Sequence, residues 1–479
     1  MSLTDQQRKA VAALLAKAAP AADDLARLFA DHGYELAIVG GSVRDVFLGR
    51  PSEDLDLTTD APPQAVMEIA RGWADRIWAV GIEFGTVGLR KGGCTLEITT
   101  YRSEKYAPKS RKPVVEYGKS LEEDLARRDF TINAIAARLP THELVDPFGG
   151  LKDLKEGVLR TPGSPESSFD DDPLRMLRAA RFAAQLGFSP VPEVREAMTA
   201  MAAKIVSDVS AERIKDELSK LMRAPDPRAG IELLVDTGLA DHILPEVPRL
   251  KLEMDEHHRH KDVYQHSLTV LSQAIDLEER YGLAGDLVVR LAALLHDIGK
   301  PRTRGLLPGG RVAFHHHEVV GAAMTRARLR ELRFPKDVVA DVARLVELHL
   351  RFHGYGTGQW TDSAVRRYVR DAGPLLTRLH VLTRADCTTR NKARAARLAA
   401  AYDALEQRIA RLEQEEELAS IRPDLDGHDI MRILGLRQGP IVGKAYKFLL
   451  DLRMERGPLG RERAEEELRR WAREQGIQA

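Results

Sequence analysis

Residues 40–56 read Gly40-Gly41-Ser42-Val43-Arg44-Asp45-Val46-Phe47-Leu48-Gly49-Arg50-Pro51-Ser52-Glu53-Asp54-Leu55-Asp56, directly after the apolar run Glu35-Leu-Ala-Ile-Val39. An apolar run that meets Gly-Gly reads as a strand entering a tight turn and a helix start. Asp54 and Asp56 are spaced i, i+2, so on a strand both carboxylates leave the same face. Like charges held that close are unfavourable unless cations lie between them. Mg²⁺ suits one or two carboxylates plus substrate phosphates, and a metal pair can clamp an in-line phosphoryl transfer. Glu97, in the alternating run Thr95-Leu-Glu-Ile-Thr99, is the candidate third carboxylate. Gly40 and Gly41 would let backbone N–H groups approach a triphosphate. The plainer alternative is a tight turn and a solvated strand end, but Gly-Gly, Arg44-Asp45 and the Asp pair occur together.

Around this segment the chain has 479 residues, enough for roughly three domains. Hydrophobic residues are 43% and charged residues 30%, so sizeable cores form without disulfide staples. Aromatics at 5% favour a helical protein over an aromatic-stranded sandwich. Lys+Arg and Asp+Glu both number 72, which excludes a globally basic nucleic-acid coat but not a local basic groove. Cys94 and Cys387 are too few for a disulfide framework or a zinc ribbon. No apolar run approaches a membrane span, and Met1 to Lys9 lacks a signal-peptide core, so a cytoplasmic location is expected. Residues 3–32 read as a helix broken at Pro20. Up to about Gly150 strand-like and helix-like pieces mix, with Thr86-Val-Gly-Leu89 as a further strand. After Gly157 helical periodicity dominates, with breaks near Thr161–Pro165, Ala224–Pro227, Gly305–Gly310, Gly354–Gly358 and Arg422-Pro423. The Glu413–Glu417 run reads as a solvated helix face.

The segment Gly40–Asp60 resembles the signature of the class II tRNA nucleotidyltransferase and bacterial poly(A) polymerase family. Four more blocks follow in the family's order: Arg127-Arg-Asp-Phe-Thr-Ile-Asn-Ala134, Asp146-Pro-Phe-Gly-Gly-Leu-Lys-Asp153, Asp171-Asp-Pro-Leu-Arg-Met-Leu-Arg178 and Ala211-Glu-Arg-Ile-Lys-Asp-Glu217. The resemblance implies that Asp54 and Asp56 hold the catalytic Mg²⁺, with Glu97 beside them. It implies that Gly40, Gly41 and Arg44 hold the triphosphate, and that Arg128, Asp129 and Asn133 position the ribose and phosphates. It also implies that side chains, not a template strand, read the base. Asp172 and Arg175 match the reading pair, and Arg178 falls in the same nucleotide-binding block. An Asp accepts from the exocyclic amine shared by cytosine and adenine, while an Arg donates to ring or carbonyl acceptors. The family's Glu before the reading Asp is Asp171 here. Taken alone, Asp170-Asp-Asp172 would look like a helix N-cap. The stretch Tyr101–Pro113 matches a loop that the family uses to switch nucleotides; a plain basic surface loop is an equal reading.

Downstream, His266, His296-Asp297, His317, His349 and Asp386 appear in order, with His296-Asp297 ending the apolar stretch Leu291–Leu295. A His-Asp pair buried there is unfavourable unless something satisfies both groups, and a divalent metal does so. The ordered set resembles the HD metal-dependent phosphohydrolase superfamily. The match implies that His266, His296, Asp297 and Asp386 hold one metal, and that His317 and His349 hold a second. The HD-site metal would be a divalent transition metal or Mg²⁺, and Lys300 could assist with a substrate phosphate. His257, His258, His315 and His316 read as surface or supporting residues.

The tail segments Leu425–Met431 and Gly435–Gly443 resemble the end of bacterial CCA-adding enzymes. Arg437, Lys444 and Lys447 are its candidate RNA contacts, against the alternative of a simple glycine-capped helical hairpin. The expected fold is an α+β, polymerase β-like nucleotidyltransferase head with a mixed sheet, followed by all-α domains including an HD domain. The expected divisions are an N-terminal helical extension (1–24), the head (25–160), a nucleobase-reading and neck domain (161–250), the HD domain (251–400) and a tRNA-binding tail (401–479). The implied function is CCA addition to tRNA from CTP and ATP, releasing pyrophosphate, with tRNA as partner and no membrane. The HD domain is expected to add phosphatase or 2′,3′-cyclic phosphodiesterase activity. The competitors are poly(A) polymerase, partial CC- or A-addition, and an HD phosphohydrolase whose head only docks RNA or nucleotide.

Overall fold

The computed structural model describes residues 20–50, 54–79, 85–105, 114–118, 120–252, 262–306, 312–352, 360–387, 391–416 and 422–477, with Ala13 and Pro308 besides. Most of the expected helix before Pro20, His257 and His258, and the tip of the Tyr101–Pro113 loop lie outside these residues. The chain divides into two units, Met1–Ile243 and Leu244–Ala479.

The first unit opens with the helix Pro20–Asp31 and nine strands. These are β1 (Leu36–Val39), β2 (Asp54–Thr59), β3 (Arg76–Trp78), β4 (Thr86–Lys91), β5 (Cys94–Thr100), β6 (Arg102–Lys105), β7 (Val114–Tyr117), β8 (Ala136–Leu139) and β9 (Glu143–Val145). Seven of them form a mixed sheet in the order β3-β4-β5-β2-β1-β8-β9, and β6 and β7 form a separate hairpin. All neighbouring pairs in the large sheet are antiparallel except β2 with β5. Strand β1 is central, between β2 and β8.

Alternation along these strands sorts the side chains. Leu36, Ile38, Leu55, Leu57, Leu96 and Ile98 are buried with Leu25 and Phe29 of the first helix and Val66 and Ile69 of the helix Pro63–Ala70. Full burial of such a side chain stabilises by about 1.5–3 kcal/mol. The other face is covered by a smaller cluster around Ala37, Val39, Tyr101, Leu121 and Leu125. That cluster stops short of Asp54 and Asp56, which remain exposed at the start of β2.

Beyond the sheet the first unit is helical apart from a short parallel pair, Val158–Leu159 with Ser189–Pro190. The helix Leu174–Leu186 carries a broad buried face (Met176, Leu177, Ala180, Phe182) and packs against Ala211–Met222 and Pro227–Asp236.

In the second unit the helices Val263–Glu278, Leu287–Leu295, His317–Glu331, Lys336–Leu348 and Leu376–Asp386 pack on one another. Every residue of Leu287–Leu295 is buried. The charge of Arg290 in that helix is met by Glu278, with Nε–Oε1 2.6 Å and Nη2–Oε2 2.7 Å. At the expected break Gly305–Gly310 the helices give way to an antiparallel pair at either end of it, Arg304–Leu306 with Val312–Phe314. Its β-branched and aromatic residues, Val312 and Phe314, are too few for a strand period to show. After the helix Lys392–Glu416, the helices Gly427–Leu434, Pro440–Arg456 and Arg461–Glu474 share a core of their own around Ile430, Leu434, Leu449 and Leu468. Glu413 is exposed on Lys392–Glu416, as a solvated face requires.

Candidate active site and metal centre

Gly40 joins β1 to the helix Gly41–Phe47 with φ +68° and ψ −129°, a conformation open to glycine. A Cβ there would also stand 2.8 Å from Nη1 of Arg128. The turn brings the helix against β2, where the Asp56 N–H donates to Ser42 Oγ at 2.8 Å. Asp54 and Asp56 share one face of β2, and Glu97 is the register partner of Asp56 on β5. Although Asp56 is exposed as a residue, the protein crowding its carboxyl raises its pKa; Arg128 and Arg44 oppose that rise, and Asp54 and Asp45 add to it. Hard oxygen donors on an open face beside arginines fit Mg²⁺ that also holds substrate phosphates.

A chain of hydrogen bonds leads from there into a cleft. Arg44 Nη1 donates to Asn133 Oδ1 at 2.7 Å, and Asn133 Nδ2 donates to Asp129 Oδ1 at 2.9 Å. Arg178 Nε donates to Asp129 Oδ2 at 2.8 Å. Burial opposes ionisation of Asp129, but Arg178, the Asn133 amide and the Phe130 N–H outweigh it and hold the pKa at about 2. Arg44 is itself fixed by Asp45, with Nε–Oδ1 2.8 Å and Nη2–Oδ2 3.0 Å.

The cleft has a volume of about 270 Å³, and Arg128, Asp129, Asp172, Arg175 and Arg178 all line it. Arg127, Leu174 and Arg213 line it too. These three are not singled out by the sequence reading, although all of them sit inside the quoted blocks Arg127–Ala134, Asp171–Arg178 and Ala211–Glu217. Arg213 Nη2 donates to Asp172 Oδ2 at 2.8 Å, and the Leu174 N–H donates to Asp172 Oδ1 at 3.1 Å. Asp172 therefore supports the start of a helix, as its local sequence suggested, while facing the cleft. Arg175 donates to Ser168 Oγ at 2.8 Å and to the Arg127 carbonyl at 2.6 Å.

In the second unit, His296 and Asp297 follow the buried helix Leu287–Leu295. The turn that carries them is packed so closely that a Cβ on Gly299 would lie 2.1 Å from the His317 carbonyl oxygen. Each of three imidazoles binds a backbone carbonyl through Nδ1: His296 to Ala293 at 2.9 Å, His317 to Phe314 at 2.9 Å and His349 to Val346 at 2.6 Å. This turns Nε2 of each ring inward, as a metal ligand requires. Nε2 of His317 and of His349 are buried with no hydrogen-bond partner among the described residues.

Two groups of potential ligands have their donor atoms within 4.8 Å of one another: His266, His296 and Asp386, and Asp297, His317 and His349. Among the described residues Asp54, Asp56 and Glu97 do not make a third such group. Asp297 lies between the two groups: one oxygen falls with His317 and His349, and the other reaches the expected partners His296 and His266 at 3.2 and 3.7 Å. Its two oxygens diverge, with Oδ2 3.2 Å from His296 Nε2 and Oδ1 3.3 Å from His317 Nε2. Adjacency to His296 in sequence therefore does not decide which ligand set it joins. Lys300 Nζ lies 2.8 Å from Asp297 Oδ2. Burial disfavours a charged His349 and, with the charge of His296, pushes its pKa down to about 3, the neutral form a ligand needs. The mixed imidazole and carboxylate donors fit a divalent cation. His315 and His316 are exposed. Arg437, Lys444 and Lys447 lie around the start of the helix Pro440–Arg456, and all three are exposed.

Residues 36–160 match the family model of the poly A polymerase head domain, 187–250 that of a probable RNA and SrmB-binding site of polymerase A, and 263–391 that of the HD domain. An A-adding tRNA nucleotidyltransferase of Deinococcus radiodurans is 35% identical over 448 residues, covering 91% of this chain and 96% of the relative. A CC-adding tRNA nucleotidyltransferase of Thermus thermophilus is 34% identical over 426 residues, covering 87% and 89%. The crystal structure of the Bacillus stearothermophilus CCA-adding enzyme in complex with CTP has the same fold, with a TM-score of 0.65, 24% identity, and coverage of 96% of this chain and 98% of that one. The chain belongs to the class II tRNA nucleotidyltransferase and poly(A) polymerase family and carries an HD domain behind its head. Among the described residues no helix is long and apolar enough to cross a membrane.

Proposed function

We propose that this chain is a CCA-adding tRNA nucleotidyltransferase, transferring CMP, CMP and AMP from CTP and ATP to a tRNA 3′ end with release of pyrophosphate. The observation that carries the reading is the continuous network from Arg44 through Asn133 and Asp129 to Arg178, which links the Asp56 face to the cleft lined by Asp172 and Arg175. Arg44 and the Gly40-Gly41 turn hold the triphosphate, and Arg128, Asp129 and Asn133 hold the ribose and phosphates. Asp172 accepts from the exocyclic amine of cytosine or adenine and Arg175 donates to a ring or carbonyl acceptor. Arg213 and Arg127 must release those groups, or shift with them, as a base arrives. Mg²⁺ held by Asp54 and Asp56, with Glu97 alongside, would neutralise the developing charge when bound. The head falls within 25–160, the base-reading and neck helices within 161–250, the HD domain within 251–400 and a tRNA-binding tail using Arg437, Lys444 and Lys447 within 401–479. Residues 1–24 form an extension. A tRNA-processing role carries a cytoplasmic location with it.

The HD unit is read as a phosphohydrolase acting on phosphate or 2′,3′-cyclic phosphate at RNA ends. His266, His296, Asp297, Asp386, His317 and His349 would hold Mg²⁺ or a divalent transition metal that supplies an activated water. Lys300 would face the substrate phosphate.

A second reading, addition of only CC or only A, is favoured by one observation. Two relatives that cover nearly the whole chain are an A-adding and a CC-adding enzyme. The deciding experiment supplies Mg²⁺, CTP and ATP, separately and together, to tRNA transcripts ending before CCA, after C and after CC. A product that stops at C-C-A supports the proposal. Arrest after CC, or addition to the CC end alone, moves the assignment to the second reading. Long A-only extension moves it to poly(A) polymerase, and no incorporation leaves the HD unit as the catalyst.

A further inference from the structure

Phe182 lies 2% exposed on the helix Leu174–Leu186 and is packed edge-on against Phe130, with ring centroids 5.8 Å apart and an interplanar angle of 89°. Three guanidinium groups gather around this one ring. Arg181 Cζ is 4.1 Å from its centroid, Arg44 Cζ 5.3 Å and Arg178 Cζ 5.5 Å. All three fall within the range in which the negative face of an aromatic ring attracts a cation. Each guanidinium also has its own carboxylate: Asp45 for Arg44, Asp129 for Arg178 and Glu217 for Arg181.

The arginines come from separate parts of the unit. Arg44 belongs to the helix that follows the Gly40-Gly41 turn, whereas Arg178 and Arg181 belong to the helix that follows Asp172 and carries Arg175. Glu217 sits on Ala211–Met222, the helix whose first turn supplies Arg213 to Asp172. A carboxylate can fix the direction of one guanidinium, but each of these is paired with a single arginine of the three. The ring meets all of them.

We propose that Phe182 is a positioning residue that sets the distance between the triphosphate-holding Arg44 and the nucleobase-reading helix. The inference rests on the role given above to Arg44 and deepens it. Bulk alone would not achieve this, because an aliphatic side chain has no electron-rich π face with which to attract three cations that repel one another.

The test replaces Phe182 by phenylalanines bearing one, two and three ring fluorines, which keep the shape while draining the negative face. Phe182→Leu and Phe182→Trp are made alongside. In the full-length protein with Mg²⁺ and a tRNA acceptor, KM for CTP and ATP should climb with each fluorine, reaching about three- to thirty-fold, while KM for tRNA stays level. Phe182→Leu should match the trifluorinated protein and Phe182→Trp should restore a low KM. A flat KM for nucleotide across the fluorinated series overturns the proposal, as does a fall in kcat alone. Arg44→Ala is the companion measurement. If it leaves nucleotide KM unchanged, the reading of Arg44 fails; if it raises KM and the fluorinated series stays flat, only the role of the ring fails.

Discussion

Asp56 and Glu97 are register partners across β2 and β5, the parallel pair of the large sheet, on the face opposite the buried Leu57 and Leu96. Asp54 precedes Asp56 by one pleat on the same face. Asp54→Ala and Asp56→Ala should each lower nucleotide incorporation by about three orders of magnitude or more, as expected when charge neutralisation at a transferring phosphoryl group is lost. Glu97→Ala should lower it less. Phosphatase activity measured on the same preparations should persist, while Asp297→Ala should remove phosphatase activity and leave incorporation intact. If one substitution abolished both activities in a folded protein, the two sites could not be separate.

Gly40 combines φ +68° with a neighbour, Arg128 Nη1, placed 2.8 Å from where a Cβ would be. Gly40→Ala should therefore destabilise the head by about 1–2 kcal/mol through backbone strain. It should also displace Arg128, raising KM for CTP and ATP. Urea unfolding and nucleotide titration of the variant read the two effects separately.

Asp129 is depressed to about 2, and an unfolded aspartate titrates near 3.9. A carboxyl depressed on folding adds stability that is full above its unfolded pKa and is lost as pH falls through its folded pKa. Its contribution is about 2 kcal/mol. Asp129→Asn should thus be less stable than the parent at neutral pH, and the gap should close between about pH 4 and pH 2. Unfolding midpoints of the two proteins measured down this range would show the convergence, and a constant gap would contradict it.

Nε2 of His317 and of His349 are buried without a hydrogen-bond partner among the described residues, so a divalent cation should stabilise the second unit. At about a hundred times its Kd a bound ligand adds about 2.7 kcal/mol. Dialysis against a chelator should lower the unfolding temperature, and Mn²⁺ or Ni²⁺ should restore it. His317→Ala and His349→Ala should weaken that response and reduce the metal content found by elemental analysis.

Much of the acidic face was legible because strand alternation reports side-chain direction directly. Asp56 and Glu97 are each flanked by buried aliphatic residues on strands, Asp54 has buried Leu55 after it, and their shared face follows from that pattern. Arg213 was not legible, since its meeting with Asp172 spans 41 residues and depends on how two helices cross rather than on a local period. Leu174 was passed over for the opposite reason: an apolar residue at a helix start looks like ordinary core. Asp297 shows a third limit. The order of residues along the chain names the candidate ligands, but where the two oxygens of Asp297 point depends on the packing around them.

Strand β1 stands between β2, which follows it closely, and β8, whose residues Ala136–Leu139 arrive about a hundred residues later. While the chain is being synthesised, β1 and β2 can pair early, yet one edge of β1 has no partner until residue 139 has left the ribosome. Translation at roughly 5–20 residues per second makes that an interval of several seconds or more. A half-built sheet with an open apolar edge is a target for chaperones and for other nascent chains. The placement that centres β1 beside the acidic strand therefore also makes this head depend on the pace of its own synthesis.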